Sequence, residues 1–240
     1  MSATSRPCRC CLTATWTHLL LLASHCPSHY KESVGEARKR RKVKIISVGQ
    51  FRPEKDHPMQ LRSMYQLRQI VREDVWDNLV LVIIGSCRNA EDEERVQDMK
   101  DLCKHLSLEN NVQFRVNISY QELKEELQQG LIGLHSMWNE HFGIGVVECM
   151  AAGLIMVAHR SGGPQMDIVE ESESSRTGFL ASDEDEYARA IAAILKIPPR
   201  ARNSIREAAR SVPRVSVALL GKADLPELGG VFFVGGVTVL

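Results

Sequence analysis

From Lys44 to about Arg210 the chain alternates short β-branched apolar runs with longer stretches of helical period, and turn residues bound each run. The runs are "KIISVG" (44–49), "LVLVIIG" (79–85), "VQFRV" (112–116), "LIGLHS" (131–136) and "LIMVAH" (154–159). They are continuous rather than alternating, which suits strands covered on both faces. Helices are predicted at roughly 58–73, 91–106, 119–128, 144–152, 183–195 and 199–210, the fifth with Ser182 capping an acid-rich first turn. Strands alternating with helices imply βαβ units, so the expected fold is α/β, a Rossmann-like doubly wound parallel sheet.

The flanks do not continue this pattern. Residues 1–42 are expected to be an atypical, disordered leader, 43–211 the folded domain and 212–240 an atypical apolar tail. The segment "LTATWTHLLLLAS" (12–24) is too short and too interrupted by Thr and His to span a bilayer, and it lacks the cleavage site of a signal peptide. In the tail, "VFFVGGVTVL" has the composition of an aggregation-prone segment. Seven cysteines, four of them before residue 27, do not form a disulfide framework and fit a reducing compartment.

Cys8, Cys11, His25 and His29 have the numerical spacing of a zinc finger, and "ARKRRKVK" (37–44) follows. The helix such a finger needs would carry no basic residue to meet phosphate, so the basic run reads as a solvated linker. Thirty basic and thirty acidic side chains cancel over 240 residues. No nucleic-acid partner is expected.

Chemistry concentrates at two strand ends. In "EHFGIGVVE" (140–148), Gly143 and Gly145 open a helix directly after the strand 131–136, which aims backbone N–H groups at the crevice beyond the sheet's carboxyl edge. Glu148 falls roughly 7 Å further along that helix, and Glu140 stays in the loop before it. Carboxylates accept hydrogen bonds from paired hydroxyls, and the helix terminus suits phosphate; a nucleotide sugar presents both. After the first strand, "VGQFRPEKDHP" (48–58) supplies Gly49, Arg52 and Lys55, cations placed where a diphosphate needs them. His135, His141 and His159 lack metal-ligand spacing and read as core or loop histidines, and Cys149 reads as a packed side chain.

"SVGQFRPEKDHP", "GLHSMWNEHFGIGVVECMAAG", "SGGPQMDIV" (161–169) and "TGFLA" (177–181) resemble the donor-binding domain of the retaining GT-B glycosyltransferases of family four. More narrowly, they are similar to the GDP-mannose-dependent α-1,2-mannosyltransferases that extend dolichol-linked oligosaccharide on the cytosolic face of the endoplasmic reticulum membrane. The resemblance covers residues 43–211. It implies that Glu140 contacts the transferred sugar, that Glu148 holds the ribose, and that amides around Phe142, Gly143 and Ile144 meet the sugar and distal phosphate. Lys55 takes the place of the diphosphate-binding lysine. The family's arginine position holds Gln50, with Arg52 two residues later. No metal cofactor is implied.

In the family a second Rossmann-like domain binds the lipid-linked acceptor, and a membrane anchor precedes it. Neither pattern is found in residues 1–42, and the C-terminal helix pattern stops after about Ser211. The chain is therefore expected to represent one half of such an enzyme with unrelated ends, with a nucleotide-sugar-binding module lacking transfer activity as the alternative.

Overall fold

The computed structural model describes residues 42–220 and two short strands, Phe233–Val234 and Val237–Thr238, that pair antiparallel. The Cys8 to His29 spacing, most of the basic run and most of the tail lie outside the described residues.

Six parallel strands form the main sheet: β1 (Val43–Val48), β2 (Leu79–Gly85), β3 (Val112–Val116), β4 (Gly130–His135), β5 (Ile155–His159) and β6 (Gly178–Ala181). Their order, β3-β2-β1-β4-β5-β6, is that of a doubly wound Rossmann sheet, as expected. The sixth strand, inside "TGFLA", was not expected. It has four residues and no turn signal of its own beyond the polar run 170–176.

The helices are α1 (His57–Ile70), the single turn α2 (Glu73–Trp76), α3 (Ala90–His105), α4 (Tyr120–Gln129), α5 (Ile144–Ala152), α6 (Glu184–Lys196) and α7 (Pro199–Leu220). The first predicted helix is thus broken at Val71, whose extended backbone ends α1. The last runs on to Leu220. Asp183, not Ser182, caps α6: its carboxylate accepts from Glu186 N, and Ser182 N instead donates to the Glu186 side chain. Ser119 and Glu122 form a reciprocal capping box that starts α4.

Side-chain alternation along the strands divides the core in two. Ile45, Leu81, Ile83 and Leu134 face α1, α3 and α6 through Leu61, Met64, Leu67, Met99 and Ile191. Ile46, Val82, Ile84 and Met156 face α4, α5 and α7 through Leu123, Val146, Met150 and Ala209. Each of the large side chains among these contributes roughly 1.5–3 kcal/mol by leaving water. The helices that follow β1 and β4 therefore pack on opposite faces, and the sheet's winding reverses between those two strands.

The loop after β1 lies against the end of β2. A Cβ at Gly85 would come within 2.2 Å of Gly49 O and 2.9 Å of Phe51 Cε2. Gly85→Ala should consequently cost about 1–3 kcal/mol through overpacking and lower the melting temperature by several degrees. A melt superimposable on wild type would show that this loop does not rest on β2.

Candidate functional site

The crevice at the carboxyl ends of β1 and β4 is built from two loops. In the first, Gly49 N continues the ladder to Ile84 O at 3.0 Å, Gln50 and Phe51 are buried, and a single 3₁₀ turn (Pro53–Lys55) leads to Asp56. Asp56 takes a left-handed conformation, φ 44°, and its carboxylate accepts from Met59 N to start α1. Ser136, just past β4, fastens this turn: its hydroxyl lies 2.6 Å from Lys55 O and 3.1 Å from Asp56 O and accepts from Gln60 Nε2 at 2.7 Å. The main chain at Lys55 is thus held from the neighbouring strand.

The second loop runs from Ser136 to Gly143. Asn139 is left-handed, φ 54°, and its N–H donates to Ser161 Oγ at 2.7 Å. Gly163 N donates to Glu140 O at 2.7 Å. The contact is closed by glycine: a Cβ at Gly162, φ 55°, would fall 2.2 Å from Glu140 O, and one at Gly163 would fall 2.4 Å from Phe142 O. The "SGG" motif is a bed on which the backbone of Glu140 lies.

So supported, the Glu140 carboxylate meets two side chains. Lys55 Nζ stands 3.1 Å from its Oε2, with both side chains 19% exposed, and touches Met137 Sδ at 3.2 Å. His135 Nε2 stands 3.5 Å from the same oxygen, at the outer limit of a hydrogen bond, and has no closer partner. The His135 contact first, with the Lys55 charge and hydrogen bond, outweighs burial and pulls the Glu140 pKa down to about 2. His57 is buried near the Lys55 stem, both bordering Gly49, with its ring 5.4 Å from that of Phe51. Burial, and then the charges of Lys55 and His135, push its pKa down to about 4. At neutral pH the His57 imidazole near the Lys55 stem is neutral.

Glu148 sits half-buried in α5, whose N-cap Gly143, φ 93°, makes no side-chain cap. Its charge reaches Tyr120 at the start of α4: burial first, and then Glu148, raises the Tyr120 pKa. Phe142 is half-buried and Ile144 is 49% exposed beside the helix terminus. Arg52 takes another direction. Its Nη1 lies 3.5 Å from Glu54 Oε1, its Nε is buried without a hydrogen-bond partner, and it lines a groove of about 400 Å³ with Met99 and Leu102 of α3. Lys55 and Glu140 do not line that groove. Of the sequence-predicted residues, the fold joins Lys55 to Glu140 directly and places Gly49 against the Lys55 stem, 3.6 Å from a built Cβ. His135, His57, Ser136 and Gln60 were not predicted. For His135 and Ser136 the available signal was their place at the end of a switch-point strand. Among the described residues no group of three or more His, Cys, Asp or Glu side chains is placed to hold a metal ion.

Residues 30–212 match the profile of the glycosyl transferases group 1 family. The chain belongs to this family. It is 52% identical over 173 residues to the GDP-Man:Man(3)GlcNAc(2)-PP-Dol alpha-1,2-mannosyltransferase of Xenopus laevis and 51% identical to that of Homo sapiens. Each alignment covers 72% of this chain and 35% of the relative, so the chain spans about a third of the length of the curated relatives it matches. Among solved structures, the C-terminal domain of a glycosyl transferase group 1 protein, LpcC, from Francisella tularensis superposes with a TM-score of 0.62 at 17% identity, over 74% of this chain and 87% of that one. That likeness is one of fold.

Two predictions follow from this geometry. Gly162→Ala places a methyl group against the Glu140 main chain at a left-handed φ, and should cost about 1–3 kcal/mol in denaturant unfolding; wild-type stability would mean that the two loops do not touch. His57 releases its proton on folding, because its folded pKa lies below the ordinary value of 6.5. Its contribution is intact above pH 6.5 and is lost as pH falls from there to about 4, up to about 3 kcal/mol. Unfolding free energies measured across that window should fall less steeply for His57→Gln than for wild type.

Proposed function

We propose that this chain is the donor-binding part of a retaining mannosyltransferase, which moves mannose from GDP-mannose in α-1,2 linkage to a dolichol-diphosphate-linked oligosaccharide. The observation that carries this reading is the Lys55–Glu140 pair, a cation and an acid held 3.1 Å apart at the sheet's switch point beside the uncapped start of α5. A diphosphate suits the cation and the helix terminus, and a hexose suits the acid. Support for the donor and acceptor comes from the names of the relatives at 51–52% identity. With such an acceptor the reaction is assigned to the endoplasmic reticulum membrane, and to its cytosolic face as the family resemblance implies. No helix among the described residues is long and apolar enough to cross a membrane.

The roles divide by charge. Lys55, with Arg52 if its side chain turns from Glu54, faces the diphosphate and stabilises the negative charge that builds on it as the glycosidic bond breaks. Glu140 accepts from sugar hydroxyls, and Glu148 from the ribose. Amides at Phe142, Gly143 and Ile144 line the path between them, with Gly49 giving the Lys55 stem room. No metal is assigned to these steps. GDP itself can assist the incoming hydroxyl, since the face it leaves is the face attacked.

A second reading is favoured by the alignment, which reaches only 35% of the relatives' length. In a GT-B arrangement the acceptor is bound by a second domain, and its closure supplies roughly 7–11 kcal/mol of orientation. On that account the stretch that matches the relatives binds the nucleotide sugar, and transfer needs the acceptor-binding part as well. Incubation with radiolabelled GDP-mannose and lipid-linked acceptor decides between them: transfer at the rate of a full-length relative would dismiss the second reading.

Calorimetric titration tests the roles. Lys55→Glu should abolish GDP binding, because a like charge at the diphosphate costs several kcal/mol. Glu148→Gln should weaken GDP and GDP-mannose together. Glu140→Gln should weaken GDP-mannose and spare GDP; equal losses of both ligands in both glutamate variants would overturn the assignment.

A further inference from the structure

Glu140 is held by two donors with different prospects. Lys55 is a cation on a flexible stem, and a bound diphosphate competes with Glu140 for its ammonium group. When the phosphates draw Lys55 away, the acid loses its 3.1 Å partner at the moment its sugar arrives. His135 is under no such competition. It is 7% exposed at the end of β4, and its backbone carbonyl accepts from the buried Tyr187 hydroxyl at 2.7 Å. Its Nε2 faces Glu140 Oε2 at 3.5 Å and has no other partner.

From this geometry we propose that His135 is the positioning residue for Glu140, donating from Nε2 to the carboxylate and keeping it aimed at the transferred sugar once Lys55 has turned to the diphosphate. The inference rests on the reading of Glu140 as the sugar contact. The proton must reside on Nε2, since a bare nitrogen lone pair opposite an ionised carboxylate would repel it. A neutral imidazole in that tautomer suffices, so the buried ring needs no second proton beside Lys55. The main chain that carries the imidazole is fixed: Tyr187 holds the strand end through the His135 carbonyl, and Ser136, the next residue, is fastened to the Lys55 turn.

A space-filling role and a positioning role predict different results. The full 240-residue chain is titrated with GDP and with GDP-mannose, as wild type, His135→Leu, His135→Gln and Glu140→Gln. Leucine keeps the bulk and removes the donor, whereas the glutamine amide can place an N–H near the former Nε2. The preference for GDP-mannose over GDP should fall about five-fold or more in His135→Leu, with GDP affinity unchanged, and glutamine should restore most of it.

If Glu140→Gln loses the preference while His135→Leu keeps it, the proposal fails and the role of Glu140 stands. If Glu140→Gln also keeps it, or wild type has none, both fail. Should His135→Leu not fold, nitrogen-15 NMR of the wild-type histidines, with the His135 signal assigned by its absence from His135→Gln, still decides. A proton on Nε2 at neutral pH is required, and an unprotonated Nε2 would overturn the proposal.

Discussion

β1 and β4 lie side by side and parallel at the centre of the sheet, Ile45 opposite Ile132 and Ser47 opposite Leu134, with two strands and four helices between them in the chain. Each is followed by a loop and a helix, and the two helices settle on opposite faces because the strands' buried side chains alternate between two cores. The loops must therefore part above the sheet, and the space between them is the crevice. Lys55 comes from one wall and Glu140 from the other, 85 residues apart in the chain. Without the β1–β4 register the pair would not exist, nor would the Ser136 hydroxyl reach the Lys55 carbonyl.

The electrostatics follow from that meeting. A carboxylate that keeps its charge down to a pH of about 2 and a lysine beside it neutralise each other in the free protein, which lets both be four-fifths buried. The His57 imidazole nearby stays neutral first because it is buried, and then because a second cation there would be repelled by Lys55. Under the proposed function, a nucleotide diphosphate sugar would bring its own negative charge to Lys55 and its own hydroxyls to Glu140. Binding would then exchange one set of compensating contacts for another, and neither buried charge would be left alone.

How much of this could be read from the sequence depended on whether the signal was local. Five strands were legible as continuous Val, Ile and Leu runs, since strands covered on both faces need no polar alternation. β6 was not, because "GFLA" is short and its burial comes from pairing with β5. The Asp183 cap was displaced by one residue because Ser182 and Asp183 are both good caps, and the Glu186 side chain settles which is used. Glu140 and Lys55 were legible because each lies one short loop beyond a recognisable strand. Gln60 carries no local mark, and His135 and Ser136 carry only their place at the end of a switch-point strand: their importance comes from tertiary partners, and by pattern alone a histidine at a strand end is a core residue. Arg52 shows the reverse case, since its position in the chain suggests a phosphate ligand while its nearest charge is the adjacent Glu54.

The glycines explain why the acid is carried on a loop rather than on a helix. Glu148 lies within α5, whose position is set by the packing of Val146, Cys149 and Met150. Glu140 has no such frame. Its main chain is fixed instead by a hydrogen bond from Gly163 and by contact distances at Gly162 that no side chain could permit. The left-handed Asn139, tied to Ser161, closes the same arrangement from the other end. A loop held this tightly by a second loop has the rigidity of a helix without its geometry, so it can lift the carboxylate above the sheet edge to meet a lysine from the opposite wall. The same coupling means that the acid's aim depends on packing at residues 161–163 as much as on its own charge partners.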